Sequence, residues 1–208
     1  GTGKTVTLTS SYSGTDRNNY TITGQATTTA NITALDVALS GSTGLTKVYD
    51  ASTSAPSGFT PTYTYSGLVS GDTSATLSNA GTAYNDANVS QANKVTVSGL
   101  NITGVTGNNG SLPSDYVLSA TSKDVAATIT PKTVSLAATK VYDGTTAAST
   151  QLSLTGIVTG GGHTDDVSVA STSSVYNDKN VGTSKAVTVS GLTLSGLDAA
   201  NYSLSSTT

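Results

Sequence analysis

The sequence predicts an all-β protein built from tandem antiparallel β-sandwich repeats, and three observations lead to that prediction. Short segments alternate apolar and hydroxyl residues, as in Lys94–Val97 and Asp166–Val169, which is the pattern of a half-buried strand. Clusters of Gly, Ser, Asn and Asp separate these segments and are typical of turns. All 12 acidic residues are Asp, and the lack of helix-favouring Glu argues against helices.

An internal repeat organises the chain. Residues 47–50 (Lys-Val-Tyr-Asp) recur 93 residues later as residues 140–143. Residues 95–100 (Val-Thr-Val-Ser-Gly-Leu) recur 92 residues later as residues 187–192. Separate blocks that share one period indicate a duplicated structural unit, and this period suits a small β-sandwich.

The register of the repeats predicts three parts. Residues 1–33 resemble the C-terminal strands of a preceding, truncated repeat; residues 34–130 form a complete repeat; and residues 131–208 form a second repeat that lacks its last strand. A missing strand leaves unpaired backbone at a sheet edge. We therefore expect strand addition, either from the following segment of a longer polypeptide or from the N-terminal strands of a neighbouring copy.

The composition argues against several classes of function. Lys and Arg together number 9 and the net charge is -3. We therefore expect neither a nucleic-acid partner nor insertion into a membrane. Cysteine is absent, which excludes disulfides and thiolate metal sites. The single histidine, His163, cannot supply a nucleophile, a base and an orienting group. We expect neither an enzyme nor a bound cofactor.

Several tyrosines have structural spacing. Asp198 and Tyr202 enclose three residues, which is the spacing of the tyrosine corner in immunoglobulin-like sandwiches, where the tyrosine hydroxyl bonds to upstream backbone. Asp16 and Tyr20 repeat that spacing, and Tyr116 is the corresponding residue of the middle copy. These tyrosines are predicted to be structural.

Each Lys-Val-Tyr-Asp segment leads into a predicted turn. Its tyrosine is expected to close the core, and its aspartate to accept hydrogen bonds from turn amides; the residues are Tyr49, Asp50, Tyr142 and Asp143. Gly144 follows the second aspartate and can adopt a positive φ, whereas Ala51 in the first copy cannot do so cheaply. The first turn is therefore expected to differ from the second.

Five ordered blocks resemble the YDG-type repeat of bacterial surface adhesins and of filamentous-haemagglutinin-like exoproteins secreted by the two-partner route. They are residues 127–132, 140–146, 175–181, 187–192 and 200–204. The resemblance covers nearly the whole chain and implies secretion to the cell surface, tandem repetition and a structural role in a filament or biofilm adhesin. It brings no catalytic residues. The first copy departs from the pattern at Ala51 and Ala87.

The leading interpretation is a stalk or spacer repeat, and the alternative is a carbohydrate-binding module. Phe59, Tyr63 and Tyr65 are aromatic residues that the repeat does not explain. If Tyr63 and Tyr65 lie on one strand, they share a face. That face would form either a platform for a host or matrix glycan or, as the favoured reading, a packing pair.

A divalent ion site is a further alternative. Asp165 and Asp166 follow a Gly-rich run and supply the oxygen ligands that Ca²⁺ prefers. The regular ladder of acidic residues found in calcium-binding loops is missing from the sequence. These two residues are therefore weak candidates.

Overall fold

The computed structural model describes residues 1–40, 44–148, 152–160 and 163–205, and this part of the chain is all-β. The all-β prediction is confirmed, and the several sheets are consistent with β-sandwich repeats. Helical structure within the described ranges consists of 3₁₀ turns at Arg17–Asn19, Pro113–Asp115 and Ala199–Asn201. None of these turns has the length and hydropathy of a membrane-spanning helix.

The strands before residue 131 contain many β-branched residues and hydroxyl side chains, which favour extended backbone. They are β1 (Lys4–Thr7), β2 (Thr27–Ala30), β3 (Leu35–Ser40), β4 (Leu45–Val48), β5 (Thr64–Ser66), β6 (Asp72–Ser78), β7 (Gly81–Tyr84), β8 (Lys94–Ser98), β9 (Asn101–Gly107), β10 (Tyr116–Leu118) and β11 (Ser122–Thr130).

The strands after residue 131 are shorter on average. They are β12 (Lys132–Ala138), β13 (Leu152–Thr155), β14 (Thr159–Gly160), β15 (His163–Thr164), β16 (Ser168–Ala170), β17 (Ser173–Tyr176), β18 (Val187–Ser190), β19 (Thr193–Ser195) and β20 (Tyr202–Leu204).

The contacts divide the chain into two compact units, and neither unit follows a single sequence repeat. The first unit comprises Gly1–Ser40, Tyr63–Ala80 and Gly99–Thr121. The second comprises Gly41–Thr62, Gly81–Ser98 and Ser122–Thr208. The predicted repeats and the compact units are thus two different divisions of the same chain.

The first unit contains three small sheets. β1 pairs with β2, β6 pairs with β9, and β3 lies between β10, to which it is parallel, and β5, to which it is antiparallel. Its core is formed by Val37, Ala75, Ile102 and Tyr116. Tyr65 and four aliphatic side chains pack against this core.

The second unit contains a four-stranded sheet in the order β4-β11-β8-β7 and a three-stranded sheet in the order β13-β12-β20. Three two-stranded sheets complete it: β14-β15, β16-β19 and β17-β18. β11 is central in the four-stranded sheet, because it pairs in parallel with β4 and antiparallel with β8. Its alternating burial matches a strand with one face in the core.

The core of the second unit draws on both repeats. From the first repeat come Tyr49, Tyr84, Ala92, Val95, Ala127 and Ile129. From the second repeat come Val134 and Tyr202. Folding therefore buries apolar side chains of both repeats in one core. This burial is the main source of the stabilisation that each repeat gives the other.

Candidate functional site: the lysine-centred turn and the junction between repeats

The first Lys-Val-Tyr-Asp turn folds around a lysine ammonium. Lys47 Nζ lies 2.7 Å from Asp50 Oδ1, 2.7 Å from the Ser52 carbonyl oxygen and 3.0 Å from the Ser54 carbonyl oxygen. It also lies 5.2 Å from the centroid of the Tyr84 ring. The Lys47 side chain is 7% exposed, and its three N–H donors have acceptors, as a buried ammonium requires.

The second turn repeats this geometry. Lys140 Nζ lies 2.7 Å from Asp143 Oδ1 and donates to the carbonyl oxygens of Thr145 and Ala147, each at 2.9 Å. The Lys140 side chain is 9% exposed. The conserved geometry within one chain shows that the Lys-Val-Tyr-Asp signature encodes a local, lysine-centred turn.

The prediction that the two turns differ is wrong. Ala51 adopts φ 59° and Gly144 adopts φ 77°, so both backbones enter the left-handed region. Asp50 Oδ1 accepts the Ser52 N–H at 3.0 Å, as Asp143 Oδ1 accepts the Thr145 N–H at 2.8 Å. The left-handed conformation costs Ala51 about 1–2 kcal/mol, and the hydrogen bonds of the surrounding turn offset that cost.

Electrostatics keep both turn aspartates ionised. The hydrogen bond from Lys140, followed by the one from the Thr145 amide, lowers the pKa of Asp143 to about 2. Burial raises the pKa of Asp50, but its hydrogen bonds from Lys47 and Ser52 outweigh burial and lower it overall. Each carboxylate thus remains charged opposite its lysine at neutral pH.

Two core tyrosines bind aspartates that are distant in sequence. The Tyr202 hydroxyl accepts the Val158 N–H at 2.8 Å and donates to Asp165 Oδ2 at 2.6 Å. In the first unit the Tyr116 hydroxyl likewise accepts the Val69 N–H and donates to Asp72.

The tyrosine-corner spacing predicts a hydrogen bond between the tyrosine hydroxyl and upstream backbone, but it does not predict these aspartates. Asp72 and Asp165 stand 93 residues apart, which is the same spacing that relates the two Lys-Val-Tyr-Asp segments. That shared period was the signal that could have identified Asp165 as a structural residue.

The two repeats meet at a junction inside the second unit. The Tyr49 and Tyr202 rings pack edge to face, with centroids 5.4 Å apart and an interplanar angle of 73°, a favourable arrangement for aromatic quadrupoles. Asn201 Oδ1 accepts the Val89 N–H at 2.9 Å, and Asn201 Nδ2 donates to Asn88 Oδ1 at 2.9 Å. Apolar and polar contacts therefore both join the first repeat to the second.

Asp165 is the charged centre of this junction. Burial raises its pKa, but hydrogen bonds from Tyr202, Tyr49 and His163 lower it overall. Burial, followed by the hydrogen bond to Asp165, raises the pKa of Tyr202 to about 12, and the same two causes raise the pKa of Tyr49. The arrangement is a buried carboxylate that accepts from two neutral phenols.

Asp165 also belongs to a group with metal-ligand chemistry. Ligand atoms of His163, Asp165 and Asp198 lie within 4.8 Å of one another. His163 Nε2 is 2.8 Å from Asp165 Oδ1, and Asp198 Oδ2 accepts the Asp166 N–H at 2.9 Å. The Asp166 carboxylate accepts the Leu197 N–H at 3.2 Å. A cation here would have to replace hydrogen bonds that hold the junction together.

The three aromatic residues considered as ligand candidates are partly buried. Phe59 lies against the core of the second unit. Tyr63 and Tyr65 belong to the first unit and are half-buried; the Tyr65 hydroxyl donates to the Ala75 carbonyl at 2.6 Å, and the buried Tyr63 hydroxyl has no hydrogen-bond partner among the described residues. Stacking on a sugar requires an exposed ring face, which these positions provide poorly.

The remaining tyrosine candidates are exposed. Tyr20 is 72% exposed and follows the first 3₁₀ turn. The prediction that Tyr142 closes the core is wrong for the described residues, because Tyr142 is 60% exposed, whereas its counterpart Tyr49 is 3% exposed and lies in the core. Asp198 precedes the last 3₁₀ turn, and its side chain makes no capping hydrogen bond to that turn. Equivalent sequence positions thus differ strongly in burial.

Comparison with known families identifies the repeat. The model of the YDG domain matches residues 33–123 and again residues 121–208. Comparisons with curated proteins and with solved structures found no match. Two matched copies that together span most of its length show that the chain belongs to the YDG domain family.

Proposed function

We propose that this chain is a structural spacer segment of a secreted bacterial adhesin or surface filament. The observation that supports the proposal most strongly is the core that two consecutive repeats share. β11 ends at Thr130 and β12 begins at Lys132, so Pro131 is the whole connection between them. A junction of one residue, with packed rings on both sides, leaves no flexible linker.

Such a junction resists bending because movement would separate buried groups. Tyr49 would leave Tyr202, and Asn201 would lose both of its hydrogen bonds to the first repeat. Repeats that contact their neighbours in this way behave as one-dimensional arrays. The spacer would project a binding region away from the cell, and adjacent copies of the repeat would be its main partners.

Force spectroscopy tests the mechanical part of this proposal. The chain is stretched between its termini, and the unfolding events of the second unit are counted. We expect its first-repeat and second-repeat segments to rupture together, since they share one core. Independent rupture of the two segments, with the junction contributing nothing, would contradict a spacer built from coupled repeats.

Surface labelling tests the proposed location. Antibodies against this chain should label intact cells that produce the parent protein, and protease added outside the cells should remove the label. The matched control is a cytosolic protein of the same cells, which should resist the protease. Labelling that requires permeabilised cells would contradict a surface location.

A further inference from the structure

In the first repeat, β11 completes the sheet beside the lysine-centred turn. The Tyr49 N–H donates to the Thr130 carbonyl at 2.9 Å, and the Tyr84 hydroxyl donates to the Thr128 carbonyl at 3.3 Å. Thr130 Oγ1 donates to the Lys47 carbonyl at 3.2 Å. The strand also buries three apolar side chains: Val125, Ala127 and Ile129.

The second repeat contains residues that correspond to those that hold β11 in the first repeat. Lys140–Asp143 repeat the sequence of Lys47–Asp50, and β18 repeats the sequence of residues 95–98 in β8. Within the described residues, β18 pairs with β17 alone, and residues 139–141, which correspond to the end of β4, belong to no strand. The two edges that hold β11 in the first repeat are therefore present in the second without such a strand between them.

A groove lies where that strand would pack. It has a volume of about 470 Å³, and its lining includes Lys140, Tyr142, Tyr176, Asn180 and Val181. A second groove shares Ala138 and Lys185 with it and is lined by Val187 and Val189 of β18. We call the two together the strand-acceptor groove.

Two large apolar side chains that line the strand-acceptor groove are exposed. Tyr142 is 60% exposed and Val181 is 87% exposed. In the first repeat, Tyr49 is 3% exposed and Val89 is packed against the core. The groove thus presents a surface whose counterpart is buried in the first repeat, where β11 lies beside it and Tyr202 and Asn201 of the second repeat cover it.

We propose that the strand-acceptor groove binds a β-strand with the chemistry of β11, parallel to residues 138–141, the equivalents of β4, and antiparallel to β18. The incoming strand presents small apolar side chains at alternate positions and hydroxyls between them. This inference deepens the proposed spacer function and rests on it, because a groove that accepts the strand of another repeat lets copies join in series.

The first repeat specifies the contacts that the incoming strand would make. The Tyr142 N–H, the Tyr176 hydroxyl and the Lys140 carbonyl correspond to the groups of Tyr49, Tyr84 and Lys47 that hold β11. One contact would be lost. Lys94 Nζ lies 2.6 Å from Asp124 in the first repeat, and Ala186 occupies the equivalent position in the second.

The test is binding of a synthetic peptide with the sequence of residues 122–132, measured by isothermal titration calorimetry on the full chain. We expect saturable binding with 1:1 stoichiometry. Hydrogen exchange should show new amide protection within residues 138–142 and 187–190. A control peptide that carries Asp in place of Ile129 should bind at least about tenfold more weakly, because it would bury an unpaired charge.

Two chain variants locate the site. Tyr142→Asp should weaken binding of the peptide by about tenfold or more, for the same reason. Leu197→Asp is the matched control, since Leu197 is 91% exposed and lies outside both grooves. Because Tyr142 and Leu197 are exposed, both variants should fold, and circular dichroism checks this.

Three outcomes would overturn the inference: no binding, equal binding of both peptides, or protection outside the two predicted edges. Self-association of the chain that the peptide does not displace would also overturn it, since a different surface of a second copy would then occupy the groove. Failure of peptide binding leaves the surface-labelling and force measurements unaffected, so failure of this inference and failure of the spacer proposal are distinguishable.

Discussion

The two Lys-Val-Tyr-Asp turns have the same sequence and different surroundings. Their lysines are equally buried, with 7% and 9% of the side chain exposed, and bind equivalent groups. Their tyrosines differ twentyfold in exposure, at 3% for Tyr49 and 60% for Tyr142. The turn therefore forms from local contacts, whereas burial of its tyrosine depends on strands that come from elsewhere in the chain.

For Tyr49 those partners are known. β11 pairs beside it through Thr130, and Tyr202 and Asp165 of the following repeat cover its ring and hydroxyl. In this chain, therefore, the second repeat completes the core around the tyrosine of the first.

Removing the tyrosine side chain should separate the two turns most clearly. We expect Tyr49→Ala to lower the free energy of unfolding of the second unit by about 3–5 kcal/mol, because it leaves a cavity in the shared core. Tyr142→Ala should change it by about 0.5 kcal/mol or less, since the side chain is 60% exposed. Urea unfolding followed by circular dichroism measures both, and equal losses would remove the distinction.

Deleting one hydroxyl at the junction should have a smaller effect. Tyr202→Phe removes the hydrogen bonds to Asp165 and to the Val158 N–H, and leaving these buried groups unpaired should cost about 1–3 kcal/mol. Tyr20→Phe is the matched control, because Tyr20 is 72% exposed, and should be neutral. Thermal unfolding compares the two variants; a neutral Tyr202→Phe would contradict a structural role for this hydroxyl.

Exchange of the residues after the turn aspartates should act in opposite directions. Ala51→Gly should stabilise the chain by about 1 kcal/mol, because glycine adopts the φ of 59° without steric cost. Gly144→Ala should destabilise it by a similar amount. The same urea measurement checks the signs, and a loss of stability in Ala51→Gly would show that the first turn is not strained.

Acid should weaken the second turn only at low pH. The pKa of Asp143 is about 2 in the folded chain, below the unfolded value of about 3.9. The Lys140 contact therefore adds stability at pH values above the unfolded pKa and loses it as the pH falls towards 2. NMR titration of the Asp143 carboxyl should give a midpoint near 2, and Asp143→Asn should abolish this contribution. A midpoint near 4 would contradict the ion pair.

Much of the local structure follows from the sequence alone. The alternation in residues 94–97 predicts β8, and the Val-Tyr-Asp order predicts a turn whose aspartate accepts amide hydrogen bonds, as Asp50 does from Ser52. Backbone preference alone misjudged Ala51, because the cost of one left-handed residue is small beside the several hydrogen bonds of the lysine-centred turn.

The junction could not be predicted in the same way. A repeat period shows which residues are equivalent, as it does for Asp72 and Asp165, but not which copy supplies a partner. Contact between Tyr49 and Tyr202 depends on how sheets of two repeats pack together, and that packing has no signature in a single segment. For the same reason the glycine-rich neighbourhood of Asp165 suggested a candidate ion ligand and gave no sign of its hydrogen bonds to Tyr49 and Tyr202.

The nuclear Overhauser effect between the aromatic protons of Tyr49 and Tyr202 tests the shared core most directly. With ring centroids 5.4 Å apart, selectively labelled chain should give cross-peaks between the two rings, and Tyr142 should give none to either. Assigned Tyr49 and Tyr202 resonances without a cross-peak would contradict a core built from two consecutive repeats.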